Sequence, residues 1–141
     1  MEIIRKGTKE EMEFVDGKLD AFNLTKMPWH KEKIWEHFNL FATDDNGKII
    51  GGIIANLLMD ECLSIYVLWV DEAFRYKKIG SRLLSQLEED AKKIGAQVSH
   101  LDTFDFQALE FYQKSGYEIF GTLEGSPCKG HKRYYMRKNL A

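Results

Sequence analysis

The sequence predicts a mixed α/β (α+β) fold: a mostly antiparallel sheet of about six to seven strands in which the fourth and fifth strands run parallel. Three observations carry this. Strand patterns at Phe38–Thr43, which alternates, Ile49–Leu58 and the apolar Cys62–Val70 follow one another through short turns, as hairpins do. One helical stripe, Ile79, Leu83, Leu84, Leu87, Ala91 and Ile94, then separates Cys62–Val70 from a further strand, Gln97–Thr103. A strand–helix–strand crossover of that length joins parallel neighbours with a right-handed connection.

In chain order, Glu2–Lys6 reads as a short strand. Thr8-x-x-Glu11 is a capping box that opens a helix, along which Met12, Val15, Leu19 and Phe22 recur at helical spacing until Pro28 stops it. Trp29–His37 reads as a second short helix, with Trp29 and Trp35 either packing in the core or facing a substrate. Asp45-Asn46-Gly47-Lys48 predicts a type I′ hairpin turn between Phe38–Thr43 and Ile49–Leu58. Gly51-Gly52 marks a bulge or a close approach by a ligand or neighbouring backbone. Cys62–Val70 is apolar on both faces and belongs at the centre of the sheet. Gly95 ends the long helix. Gln107–Ser115 is a short helix stopped by Gly116, and Tyr117–Glu124 and His131–Lys138 are the last two strands.

Composition narrows the function. A chain of 141 residues suits one domain, 1–141, with a full core. A net charge of −2 gives no general drive toward nucleic acid or anionic lipid. No apolar run approaches the ~20 residues of a membrane span, and Met1-Glu2-Ile3-Ile4-Arg5-Lys6 is no signal peptide. Cys62 and Cys128 lack metal-ligand spacing and read as free thiols of a cytoplasmic protein, with no metal expected.

The chemistry concentrates after Val70. Arg75, Lys77, Lys78 and Arg82 crowd a turn that opens a helix. The first amides of a helix have no internal partners and its dipole favours anions, while Gly80 lets a ligand approach the main chain. This is a phosphate or pyrophosphate site, yet neither G-x-x-x-x-G-K-[ST] nor G-x-G-x-x-G. Arg75-x-x-Lys78-x-Gly80, followed by Leu83-Leu84, resembles the acyl-CoA loop of the GNAT superfamily of N-acetyltransferases, Gln/Arg-x-x-Gly-x-Gly/Ala between a strand and a helix. Lys78 stands where the family has its first glycine; its amide serves if its φ is negative, and its ammonium can meet a phosphate. The stretch Thr103–Tyr117 resembles the family's second signature, with Ala108, Phe111-Tyr112, Lys114 and Gly116-Tyr117 in place. Asp105 replaces the usual asparagine, and an ionised carboxylate cannot donate to the pantetheine arm of the coenzyme. The two motifs and the helix between them extend the resemblance over essentially the whole chain.

The resemblance implies helices on both faces of the sheet, fourth and fifth strands splayed to admit the pantetheine arm, and acetyl-CoA as acyl donor. It implies that Arg75 and the amides of Tyr76, Lys77, Lys78, Ile79, Gly80 and Ser81 hold the pyrophosphate. Leu68, Trp69 and Val70 then line the arm with Asp105 and Ala108 beside it, and Tyr112 protonates the departing sulfur. Acyl transfer from a thioester to an amine forms a tetrahedral oxyanion that needs a donor, for which the Val70 backbone amide is the candidate. A tyrosine phenol with a reference pKa of ~10 stays protonated at neutral pH; the other reading of Tyr112 is a ring packed beside Phe111. Three groups are candidates for the base, Glu124, His131 and Asp102, with a water chain as the alternative. The expected acceptor is the primary amine of a small molecule. Acetylation of a protein N-terminus or lysine, and a non-catalytic CoA-binding module, are the other readings, and a homodimer is the assembly considered.

Overall fold

The computed structural model describes residues 1–27 and 35–141. The chain forms two compact units, Met1–Ile34 and Trp35–Ala141. In the first, the Thr8 hydroxyl accepts the Glu11 amide and the Glu11 carboxylate accepts the Thr8 amide, so the predicted capping box starts helix α1, Lys9–Lys26. Glu2–Lys6 is not a strand. It joins no ladder, and the Arg5 guanidinium instead turns onto the Glu11 carboxylate and the Lys6 carbonyl. Pro28 and the Trp29–Ile34 part of the predicted second helix lie outside the described residues.

The second unit holds seven strands among the described residues: β1 Trp35–His37, β2 Leu40–Thr43, β3 Ile49–Leu58, β4 Cys62–Val70, β5 Val98–Phe104, β6 Glu118–Glu124 and β7 Lys132–Asn139. They form one sheet in the order β1-β3-β4-β5-β7-β6, with β2 also paired to β3. This is the expected mixed fold: β4 and β5 are parallel and the other pairs antiparallel. Trp35–His37 is thus strand rather than helix, because the ten residues of β3 outrun β2 and hold β1 on their far half. Between β1 and β2 the Asn39 side chain accepts the Ala55 amide in place of a main-chain carbonyl.

The β2–β3 turn is not type I′. Asp45 and Asn46 keep negative φ and only Gly47 is left-handed, at +81°. The Asp44 carboxylate accepts the Asn46 and Lys48 amides, which holds a longer loop. The tight turn with two left-handed central residues is the next one, Met59 (+56°) and Asp60 (+59°), between β3 and β4.

Helix α2, Ile79–Ile94, buries Ile79, Leu83, Leu84, Leu87 and Ala91 against one face of β3 and β4. Gly51 permits that contact: a Cβ there would lie 3.1 Å from the Trp69 carbonyl and 3.3 Å from the Ile79 side chain. Gly52 does the same on the opposite face, where its Cβ would lie 2.9 Å from the Phe41 ring. The close approach foreseen at this pair is therefore to neighbouring elements. A short helix, α3, Leu109–Lys114, follows β5 and packs through Phe111 against the start of α2. Tyr117 precedes β6 and is buried.

Candidate active site

The parallel ladder between β4 and β5 is short. Its partners run from Cys62↔Val98 to Ile65↔Leu101 and stop there, while β4 continues for five more residues and β5 for three. Beyond Ile65 the two strands form a fork. The Asp71 amide donates to the Ile50 carbonyl, so it faces β3. Alternation along the strand turns the Val70 and Leu68 amides the other way, into the fork. A cleft of about 520 Å³ occupies the fork, with Leu68, Trp69 and Val70 on the β4 side and Asp102, Thr103, Ala108 and Tyr112 opposite. Tyr66, Val67, Arg75, Phe106 and Gln107 complete its walls.

Tyr112 reaches the cleft from α3. Only 6% of the residue is exposed, its ring packs edge-on against Phe111 and Tyr117, and burial pushes its phenol up to about 12. Among the described residues its hydroxyl has no hydrogen-bond partner. The main chain before it is locked by Gln107, whose side-chain oxygen accepts the Phe104 amide at 2.8 Å.

Val70 and Arg75 also line a second cavity, of about 300 Å³, over the start of α2. Tyr76, Lys78, Ile79, Gly80 and Ser81 form its wall, and Lys77 turns aside to sit over the Phe74 ring. The Arg75 Nε donates to the Val70 carbonyl at 3.3 Å, which ties this turn to the fork. The Ile79, Gly80 and Ser81 amides precede the first helical bond, from the Arg82 amide to the Lys78 carbonyl, and find no acceptor among the described residues. An anion here meets a row of free amides beside two cations, Arg75 and Lys78.

Residues 9–117 match the acetyltransferase (GNAT) family. The chain belongs to that family. It is 30% identical over 105 residues to a blasticidin-S acetyltransferase of Streptomyces morookaense, across 74% of this chain and 76% of that one. An acetyltransferase from Bacillus cereus superposes with a TM-score of 0.87 at 35% identity, covering 98% of this chain and 97% of that chain. An aminoglycoside 6′-N-acetyltransferase solved with coenzyme A shares the fold, with a TM-score of 0.66 at 21% identity over 89% of this chain and 81% of that one. The protein is an acetyl-CoA-dependent N-acetyltransferase.

Against the GNAT pattern, Lys78 is instructive. Its φ is +61° and not negative, so the lysine adopts the left-handed conformation that a glycine takes freely. Tyr76 is left-handed too, at +68°. Gly80 is not; a Cβ there would sit 3.7 Å from Val70 and Phe111, in ordinary contact. The motif's first position is a demand on conformation, and at its last the described residues leave room for a Cβ.

Asp105 lines neither cavity. One carboxylate oxygen lies 3.0 Å from His131 Nδ1 and the other accepts the Lys132 amide at 3.1 Å. His131 holds the Asp105 carboxyl below its usual range, with the Lys132 amide assisting. Where a GNAT asparagine would reach the pantetheine arm, this aspartate closes the last loop onto β5. His131 is thereby engaged outside the cleft walls, with its ring edge-on to Phe106. The Glu124 side chain is 81% exposed, pairs among the described residues only with Lys132 at 3.9 Å, and is likewise absent from the cleft. Asp102 does line the cleft, but Arg133 holds its carboxylate through Nε and a terminal nitrogen, both at 2.9 Å.

Sequence reasoning missed Tyr66, Val67, Thr103, Phe106 and Gln107. The last two follow the strand at the spacing of the motif and were within reach of it. Among the described residues no group of three or more His, Cys, Asp or Glu side chains is placed to hold a metal, and no helix is long and apolar enough to cross a membrane.

Proposed function

We propose that this GNAT enzyme acetylates the primary amine of a small molecule by direct attack on acetyl-CoA within the β4–β5 fork. One observation carries the proposal: the unpartnered Tyr112 hydroxyl and the free Leu68 and Val70 amides border the same cleft. The pyrophosphate rests on the amides from Tyr76 to Ser81, with Arg75 and Lys78 supplying charge. The arm passes Trp69 and Ala108 into the fork. The Val70 amide, named from sequence as the oxyanion donor, has a second donor of the same orientation in Leu68, deeper in the fork. Amides fixed in a strand stabilise a developing oxyanion without reorganising. Tyr112 gives its proton to the thiolate as the C–S bond breaks. Burial keeps that proton in place at neutral pH. The small-molecule acceptor is supported by the cleft's enclosure between two strands, and by relatives whose names state blasticidin S and an aminoglycoside as acceptors.

The test is calorimetric titration with acetyl-CoA, followed by coenzyme A release with blasticidin S, an aminoglycoside, simple alkylamines and a peptide with a free N-terminus. Binding of acetyl-CoA and release with a small amine are expected; release with the peptide alone would overturn the acceptor class. Tyr112→Phe is expected to lower turnover about 100-fold. Acetyl-CoA affinity and melting temperature should stay unchanged, since the hydroxyl makes no bond to the described residues. Wild-type turnover with chemistry rate-limiting would remove Tyr112 from the mechanism.

A further inference from the structure

Glu124, His131 and Asp102 leave the acceptor's proton without a receiver in the cleft. The other face of the fork holds an alternative. Ser64 on β4 and His100 on β5 are register partners, one step before the ladder ends. The Ser64 hydroxyl lies 2.6 Å from His100 Nε2, and both residues are partly buried. Ser64 also lines a cavity of about 210 Å³ with Trp35, Asn56, Leu58 and Tyr66. Tyr66 belongs to this cavity and to the 520 Å³ cleft, so the two share a wall. Ser64 and Tyr66 stand on one face of β4, about 7 Å apart along it.

We propose that Ser64 and His100 form a hydroxyl–imidazole relay that deprotonates the acceptor, and that the cavity beside them receives a primary amine carried on a small apolar group. The proposal rests on the acetyltransferase reading of the same fork. Trp35, Leu58 and Tyr66 supply apolar walls, and Asn56 and Ser64 supply the polar atoms that fix the amine. With the ring proton on Nδ1, His100 Nε2 accepts from the Ser64 hydroxyl, whose oxygen lone pairs face the ammonium. The ammonium gives one proton to the Ser64 oxygen as the serine proton passes to Nε2, leaving a neutral amine and an imidazolium. The amine then forms the C–N bond to the thioester carbon. As the tetrahedral intermediate collapses, the C–S bond breaks, Tyr112 protonates the sulfur and the nitrogen's surplus proton restores the phenol. His100 returns its proton to solvent, so one proton is released for each acetyl group moved. Among the described residues the charged and titratable groups in register around the pair begin with His37 on β1, which reaches Ser64 through Asn56 of β3. Arg137 is the register partner of His100 on β7, and Glu118 on β6 stands opposite Arg137. Asp102 is next on the same face of β5 and is held by Arg133, while Tyr66 is next on β4. Ser64 touches substrate in this scheme, and His100 is a positioning residue that acts through it.

The test compares two acceptors that differ in whether they need a base. 2-Phenylethylamine is an ammonium at neutral pH, whereas hydroxylamine is largely neutral there. His100→Gln is expected to lower turnover about 100-fold with 2-phenylethylamine and by far less with hydroxylamine, at unchanged acetyl-CoA affinity. Ser64→Ala, a smaller change that keeps the strand, should behave the same way, and the double variant should be no worse than either. Equal losses with both acceptors, or none with either, would overturn the relay. Failure of the wild type to acetylate 2-phenylethylamine while it binds acetyl-CoA and turns over a larger amine would overturn the assignment of the cavity. Failure to bind acetyl-CoA at all would instead strike the reading on which the proposal rests.

Discussion

Lys78 sits at φ +61° and ψ +22° with no side-chain cap on the helix it begins. An L-residue in that conformation costs about 1–2 kcal/mol, and glycine escapes the cost while losing about 0.4–1 kcal/mol of unfolded-state entropy. Lys78→Gly is therefore expected to stabilise the protein by about 0.5–1 kcal/mol in a urea titration. A loss of stability would show that the lysine stem holds the turn through its own contacts. Strain of this size persists where the surroundings impose it. Here the turn must aim consecutive amides at one point before α2 begins. The position of Lys78 in the motif was legible in the sequence, but its conformation was not, because lysine carries none of glycine's signal for positive φ. Asp105 shows the same limit from the other side. The substitution was visible, and so was its inability to donate. Its attachment to His131 and Lys132 depends on a hairpin that returns more than twenty residues later.

Between elements, Tyr117 sits in a connected polar network. Its hydroxyl donates to Glu88 on α2 at 2.7 Å and accepts from the fully buried Ser99 on β5 at 2.7 Å. Lys138 on β7 joins the Glu88 carboxylate and the Ser115 carbonyl, each at 2.8 Å. One network thus ties α2, β5, the end of α3 and β7 behind the wall that carries Tyr112. Tyr117→Phe leaves Ser99 unsatisfied in the core and is expected to cost about 1–3 kcal/mol, measurable as a lower urea midpoint at unchanged slope. No change would mean that Ser99 finds another acceptor. Which elements could be read from sequence follows from where their stability arises. The stripe from Ile79 to Ile94 is periodic in itself, and α2 has those bounds. Trp35–His37 has no alternation of its own and becomes a strand because β3 offers an edge. The Asn46-Gly47 signal found the right hairpin and the wrong turn, since the Asp44 carboxylate stabilises a longer loop. Ser64 and His100 lie 36 residues apart and meet only through the register of a parallel pair, for which no short-range pattern exists.

At the scale of the whole chain, the two buried tyrosines set an alkaline limit. Burial raises the Tyr112 phenol to about 12 and raises Tyr117 further, in the same sense. The unfolded chain releases these protons near pH ~10, so above that point it binds fewer protons than the folded chain, and stability falls as pH rises. The contribution is fully present below pH ~10 and is lost as pH climbs through about 12; for Tyr112 it is on the order of 3 kcal/mol. Unfolding followed by tyrosinate absorbance should show these phenols ionising together with loss of structure. Ionisation well before unfolding would place them nearer solvent. The shortness of the β4–β5 ladder has another consequence. Past Ile65 the sheet acquires an extra edge in its interior, and unpaired strand edges recruit any extended backbone, including that of another copy of the chain. This edge carries the protections usual at the outside of a sheet: a register shift in β4 between Ile65 and Val67, and a guanidinium on the Val70 carbonyl. On the proposed reading the coenzyme's amide-bearing arm lies along that edge as a substitute strand, so the molecule that delivers the acetyl group also shields the protein against self-association.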